Sequence, residues 1–143
     1  MTGMFANNRE EAQTVTEKIL VVDDSDDTRE MMAKLLELES FTVVTAEDGC
    51  AGLDAAASER PDLIITDINM PNLNGIEMIR MLRKQPEFGM VPILAITAYG
   101  SSVADEAIEA GADRATTKPI EFETLIDGIR QLLGRSNKNE FSF

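Results

Sequence analysis

The sequence predicts an α/β fold in which a doubly wound, five-stranded parallel sheet is flanked by five helices. From Lys18 onward, short apolar runs rich in β-branched residues alternate with longer segments of helical period, and five such units can be counted. Three of the runs are continuously apolar, as expected for strands that helices cover on both faces. We expect one domain over residues 18–134, with flexible extensions at residues 1–17 and 135–143.

The first two units follow directly from local patterns. KILVV is the first strand, and a helix near residues 26–40, capped by Ser25 or Asp26, follows it. Its apolar residues fall on one face: Met31, Met32, Leu35 and Leu36. FTVVT is the second strand, and it leads to an alanine-rich helix near residues 48–58, in which Cys50 is expected to be a small core residue.

The other three units end on polar residues or on turn formers. LIIT ends on Asp67, and the loop NMPNLNG then opens a helix with apolar residues at helical spacing. VPILAIT precedes a helix near residues 102–110 that stops at Gly111, an expected αL cap. RATT precedes a last helix that is expected to end before Gly134. This helix carries the apolar residues Phe122, Leu125, Ile126, Ile129, Leu132 and Leu133.

Composition excludes several classes of function. A net charge of −13 would repel nucleic acids and anionic membranes, so we expect no nucleic-acid or membrane partner. With no histidine and a single cysteine, the chain has neither an imidazole base nor a disulfide framework. No apolar run has the length of a signal peptide or a membrane span, so we expect a cytoplasmic protein.

Polar residues follow four of the strands, where the carboxyl ends of a parallel sheet bind ligands. Asp23 and Asp24 follow the first strand, Asp67 the third, Thr97 the fourth and Lys118 the fifth. Each has an ordinary alternative as a helix cap, a strand-end threonine or a solvated lysine. Together, however, three carboxylates within about 4 Å repel by roughly 1 to 4 kcal/mol per pair, so a cation must offset them.

An oxygen-only donor set of this size suits octahedral Mg²⁺ better than caged Ca²⁺, and Mn²⁺ can substitute. The metal would hold one oxygen of an incoming phosphoryl group, Lys118 would pair with a second, and the Thr97 hydroxyl would donate to a third. Asp67, at the centre of the sheet, is the expected nucleophile.

The segments ILVVDD, LIITDINMPNLNG, ILAITA and TTKP resemble, in order and spacing, the receiver domains of bacterial response regulators. The resemblance covers Lys18 to Leu133 and implies a flavodoxin-like sheet of strand order 2-1-3-4-5. It implies a stand-alone signalling domain that catalyses only its own phosphoryl transfer and dephosphorylation. The phosphodonor would be a histidine kinase or a histidine phosphotransfer protein.

By this resemblance, Asp67 is the phosphorylation site. Asp24 and Asp67 would give carboxylate ligands to Mg²⁺, the backbone carbonyl of Asn69 a third ligand, and Asp23 would bind through water. Lys118 would pair with the phosphate and precede a cis proline.

The resemblance also assigns the switch. Thr97 matches the threonine that moves toward the phosphoryl group, and the small Ala98 leaves the site open. The sequence departs from the pattern at Ala115, where many receivers carry an aromatic that moves with this threonine. Tyr99 either covers part of the site and shapes dephosphorylation, or shields apolar surface in a loop.

Output would pass through a partner protein at the face of the fourth helix, fifth strand and fifth helix, or through a phosphorylation-dependent dimer. Two other functions are alternatives to this one. A receiver-like module that binds partners without phosphorylation is favoured only by Ala115. A haloacid dehalogenase-type hydrolase needs a second carboxylate two residues after the nucleophile, where this chain has Asn69.

Overall fold

The computed structural model describes residues 16–141, with side chains described for residues 16–134. Within residues 16–141 there are five strands, five α-helices and one 3-10 turn at Pro86–Phe88. The strands are β1 (Lys18–Val22), β2 (Thr42–Ala46), β3 (Leu63–Asp67), β4 (Ile93–Thr97) and β5 (Arg114–Thr117). The helices are α1 (Asp26–Leu38), α2 (Gly49–Glu59), α3 (Gly75–Lys84), α4 (Ser101–Ala110) and α5 (Phe122–Phe141).

The described strands form one parallel sheet in the order β2-β1-β3-β4-β5, which confirms the predicted topology. Strand order reverses between β1 and β3, because the chain crosses from β2 back over β1 to form β3. The crevice outside the carboxyl ends of these two strands is where such folds bind ligands.

Both faces of the sheet carry a hydrophobic core, as the continuously apolar strands predicted. Side chains of successive strand residues point to opposite faces. Ile19 and Val21 of β1 therefore pack with α1 and α5, whereas Leu20 and Val22 pack with α2, α3 and α4. Because both faces are covered, polar side chains meet at the edges of the sheet.

Side-chain caps fix three helices at the carboxyl edge of the sheet. Ser25 caps α1 and accepts a hydrogen bond from the Thr28 amide at 3.2 Å. Asp48 caps α2, and Asn74 caps α3 in a capping box with Glu77. A cap of this kind typically contributes about 1 kcal/mol, and it also sets the direction in which the chain leaves the preceding turn.

Three expectations about helices were wrong. Met31 is 51% exposed, since the apolar stripe of α1 buries Met32 and Leu36 and leaves the adjacent flank in water. Cys50 is exposed rather than in the core. The last helix runs through Gly134 to Phe141, because a glycine within a helix costs only about 1 kcal/mol relative to alanine.

The expected flexible extensions stay predictions, since residues 1–15, residues 142–143 and the side chains after Gly134 lie outside the described part. Among the described residues, none of the helices combines the length and the apolar character that crossing a bilayer requires.

Candidate functional site

Three carboxylates meet at the carboxyl edge of the sheet. Asp23 and Asp24 follow β1, Asp67 is the last residue of β3, and one oxygen from each lies within 4.8 Å of the others. Asp23 and Asp67 are buried, at 6% and 7% exposure, whereas Asp24 is exposed. The topology brings them together because β1 and β3 are hydrogen-bonded neighbours. We call these three residues the acidic pocket.

The Asp67 carboxylate is held on both sides. The Ile68 amide donates to Asp67 Oδ1 at 2.8 Å, and Lys118 Nζ lies 3.4 Å from Asp67 Oδ2. Lys118 follows β5, and its amide donates to the Thr97 carbonyl at 2.8 Å, which ties it to the end of β4. The Lys118-Pro119 peptide bond is cis, as the resemblance implied.

Burial raises the pKa of Asp23 above its usual value. The Ser25 amide, 2.8 Å from Asp23 Oδ1, opposes this rise, and the negative charges of Asp67 and Asp24 add to it. Lys118 lowers the pKa of the same carboxyl. The surroundings of Asp23 therefore disfavour the charged form of its carboxyl group.

Thr97 is the last residue of β4 and is only 1% exposed. Its hydroxyl oxygen accepts a hydrogen bond from the Tyr99 amide at 3.0 Å. Ala98 is exposed, and the Tyr99 side chain is 56% exposed. Ala115 is partly buried and packs against the core on the side of α2, α3 and α4.

The loop between β3 and α3, which carries Asn69, is fastened to the start of α2. The Gly49 amide donates to the Leu73 carbonyl at 3.1 Å, and Asn72 Nδ2 donates to Asp48 Oδ2 at 2.8 Å. Asn69 itself is exposed, and the role of its backbone carbonyl stays a prediction.

Sequence reasoning took Gly75 only as part of a turn, but it is a contact point between α3 and the site. A Cβ at Gly75 would lie 2.3 Å from the Asp67 carbonyl oxygen and 2.9 Å from Ile68 Cα. The Gly75 amide donates to the Ile68 carbonyl at 2.8 Å. Only glycine allows this approach, and the signal in the sequence was its position directly after the helix cap Asn74.

Sequence reasoning also passed over Arg29, in the first turns of α1. Its Nη1 donates to the Asp23 carbonyl at 2.6 Å, and its Nη2 pairs with the Asp26 carboxylate. The available signal in the sequence was that Arg29 lies three residues after Asp26, a spacing that places the two side chains next to each other on a helix.

The donor set of the acidic pocket fits a hard divalent cation. The pocket offers carboxylate oxygens, which such ions prefer as ligands. The ammonium group of Lys118 lies nearby, beside Asp67. The raised pKa of Asp23 is a second sign that its negative charge is under-compensated by the protein alone. The pocket could therefore hold a metal beside the two buried carboxylates of Asp23 and Asp67.

A family model described as the response regulator receiver domain matches residues 19–130. The chain therefore belongs to the response regulator receiver domain family. Response regulator MprA from Mycobacterium sp. strain KMS is 39% identical over 124 residues, which are 86% of this chain and 53% of that protein. MprA from Mycobacterium avium strain 104 is also 39% identical over 124 residues. The chain thus spans about half the length of the curated relatives it matches.

Solved structures agree with this assignment. A response regulator from Chloroflexus aurantiacus is 30% identical with a TM-score of 0.80, over 84% of this chain and 99% of that one. The chemotaxis response regulator CheY4 of Vibrio cholerae is 34% identical with a TM-score of 0.78, over 82% and 99%. The receiver domain of the sensor histidine kinase PA1611 from Pseudomonas aeruginosa, 26% identical with a TM-score of 0.78 over 84% and 99%, has a magnesium ion coordinated in its active-site cleft.

Proposed function

We propose that Asp67 accepts a phosphoryl group from the phosphohistidine of a histidine kinase or of a histidine phosphotransfer protein. The transfer depends on Mg²⁺, and the phosphorylated state signals to a protein partner. Membership in the receiver family supports phosphorylation-dependent signalling as the general role.

The position of the Asp67 carboxylate carries this proposal. It is buried at the end of a central strand, with Lys118 Nζ 3.4 Å from Oδ2 and two further carboxylates within 4.8 Å. In the transfer, a bond forms between an Asp67 oxygen and phosphorus while the phosphorus–nitrogen bond of the donor breaks, and the imidazole nitrogen keeps the electron pair. Lys118 offsets negative charge on a phosphoryl oxygen during this step.

The acidic pocket supports the metal requirement. Mg²⁺ would offset the charges of the carboxylates and of the phosphoryl oxygens. Asp24, Asp67 and the Asn69 carbonyl would hold it, and Asp23 would bind through water. The magnesium ion in the related PA1611 receiver domain supports this choice, and Mn²⁺ is expected to substitute.

Water then hydrolyses the acyl phosphate and resets the domain. We assign output to the face formed by α4, β5 and α5, with Thr97 reporting the phosphoryl group. A second copy of the chain in the phosphorylated state is the alternative occupant of this face.

The test is the intact mass of the protein after incubation with Mg²⁺ and a small acyl-phosphate donor. We expect a gain of one phosphoryl group, which a chelator prevents. Asp67→Asn should abolish it and keep the fold, because the amide oxygen still accepts from Ile68. Asp54→Asn, an exposed carboxylate on α2, is the matched control and should label normally.

Two outcomes would contradict the proposal. Persistent labelling of Asp67→Asn at another residue would reassign the acceptor. No mass gain, with Mg²⁺ binding independently confirmed, would favour the binding module that acts without phosphorylation.

A further inference from the structure

The side chain of Arg29 turns back from α1 onto the end of β1. Its Nη1 donates to the Asp23 carbonyl at 2.6 Å, and its Nη2 pairs with Asp26. The Arg29 side chain is 15% exposed, whereas that of Asp26 is 81% exposed. The guanidinium is therefore held against the main chain of the acidic pocket. Its ion pair with Asp26 lies on the side that faces solvent.

The carbonyl that Arg29 binds belongs to the peptide group that joins Asp23 to Asp24. Two main-chain amides fix the rest of this turn. The Asp23 amide donates to the Ala46 carbonyl at 3.1 Å, and the Ser25 amide donates to Asp23 Oδ1 at 2.8 Å. These bonds hold Asp23 itself. The orientation of the peptide group leading to Asp24 depends on its carbonyl, and Arg29 is the side chain that fixes that oxygen.

We propose that Arg29 is a positioning residue of the acidic pocket. It orients the peptide group between Asp23 and Asp24 so that both carboxylates face Asp67, and it thereby strengthens binding of Mg²⁺. This inference rests on the proposed function, in which the pocket holds that ion.

Charge and position predict opposite effects of removing Arg29, which makes the inference testable. Arg29→Ala removes a positive charge from beside a cation site, so Coulomb's law alone predicts tighter Mg²⁺ binding. Loss of positioning predicts weaker binding, because a metal site needs its ligands pre-oriented. The sign of the change in affinity decides between the two.

Calorimetric titration of the whole chain with Mg²⁺ measures this affinity. We expect Arg29→Ala to raise the dissociation constant roughly three- to tenfold, at or below the lower end of the range for residues that orient metal ligands. Arg29→Lys keeps the charge but loses the planar fork, so it should weaken binding by a smaller factor. Lys34→Ala, which removes an exposed positive charge from the same helix, is the matched control and should bind as tightly as the wild type or more tightly.

A second readout separates positioning from loss of structure. The rate of Asp67 phosphorylation in Arg29→Ala should return toward the wild-type rate when Mg²⁺ is raised to saturation. Bound Mg²⁺ also stabilises the fold, so this rescue reports on positioning in a variant that is already folded without Mg²⁺. Thermal unfolding without Mg²⁺ checks the fold of each variant. If Arg29→Ala does not fold, Arg29→Lys decides the question.

Unchanged or tighter Mg²⁺ binding by Arg29→Ala, or by Arg29→Lys where that variant decides, would overturn the inference while leaving the proposed function intact. A wild-type chain that binds no Mg²⁺ would overturn both, because there would be no metal site to position. The two failures are therefore distinguishable in one titration series.

Discussion

Replacing Asp23 by asparagine should stabilise the protein when no divalent cation is present. Asp23 is buried beside two other carboxylates, and its pKa is raised by burial and then by the charges of Asp67 and Asp24. Asparagine has nearly the same shape and keeps the oxygen that accepts from the Ser25 amide. The substitution therefore removes a charge and leaves the hydrogen bond in place.

The magnitude follows from the geometry of the acidic pocket. Two carboxylate oxygens at 4.8 Å, the upper limit of the separations in this pocket, repel by about 0.9 kcal/mol at a dielectric constant of 80 and by about 3.5 kcal/mol at 20. Asp23 has two such neighbours, and Lys118 offsets part of the repulsion. We expect Asp23→Asn to raise the free energy of unfolding by about 1 to 3 kcal/mol at pH 7.

The pH dependence has a definite sign. Since the folded-state pKa of Asp23 is raised above its usual 3.8, the native state binds this proton more tightly than the unfolded state does. The wild type therefore loses stability as pH rises from about 3.8 through the raised pKa. The advantage of Asp23→Asn should be absent below this window and fully present above it.

Urea unfolding with a chelator, at several pH values, measures the difference in the free energy of unfolding between Asp23→Asn and the wild type. The same series with Mg²⁺ measures this difference when the ion is present. A ligand at one hundred times its dissociation constant stabilises by about 2.7 kcal/mol, and Asp23→Asn should lose part of that gain. A variant that is less stable than the wild type at pH 7 without Mg²⁺ would refute the electrostatic reasoning.

Two further predictions concern the packing and the charge around Asp67. Gly75→Ala should lower the free energy of unfolding by about 1 to 3 kcal/mol and slow phosphorylation, because its Cβ would lie 2.3 Å from the Asp67 carbonyl oxygen. Gly100→Ala, where a Cβ meets nothing within 4 Å, is the control in urea unfolding, and equal losses would contradict the steric argument. Lys118→Ala should retain some phosphoryl uptake by mass but lose the accompanying change in its amide NMR spectrum. A full spectral change in that variant would remove Lys118 from the switch.

Much of the fold was predictable because its three central strands, β1, β3 and β4, are buried on both sides. Continuous apolar runs marked β1, β3 and β4, and turn formers marked the helix starts. Two errors arose because an apolar residue type does not by itself make a position buried, as at Met31 and Cys50. The third arose because a glycine does not by itself end a helix, as at Gly134.

The residues of the candidate site were predictable one strand at a time, since each lies at the carboxyl end of a strand or just after it, and parallel strands end at one edge. Contacts between a side chain and the main chain of another element were not predictable. Arg83, for example, donates to four main-chain carbonyls and to Asp113 at the opposite edge of the sheet, and its sequence context reads only as a basic helix end. The main-chain contacts of Arg29 and Gly75 escaped for the same reason, because local patterns carry no information about which backbone atoms approach from another element.

The missing aromatic at Ala115 does not leave Thr97 without a route to the surface. The Thr97 hydroxyl accepts from the Tyr99 amide, and its own hydrogen stays available for a phosphoryl oxygen. If Thr97 moves toward that oxygen, the Tyr99 amide must follow or lose its partner. Tyr99 precedes Gly100, the N-cap residue of α4, which has no side chain to cap the helix. If Thr97 reports the phosphoryl group as proposed, the main chain from Thr97 to α4 would couple the site to the proposed output face without any side chain at position 115.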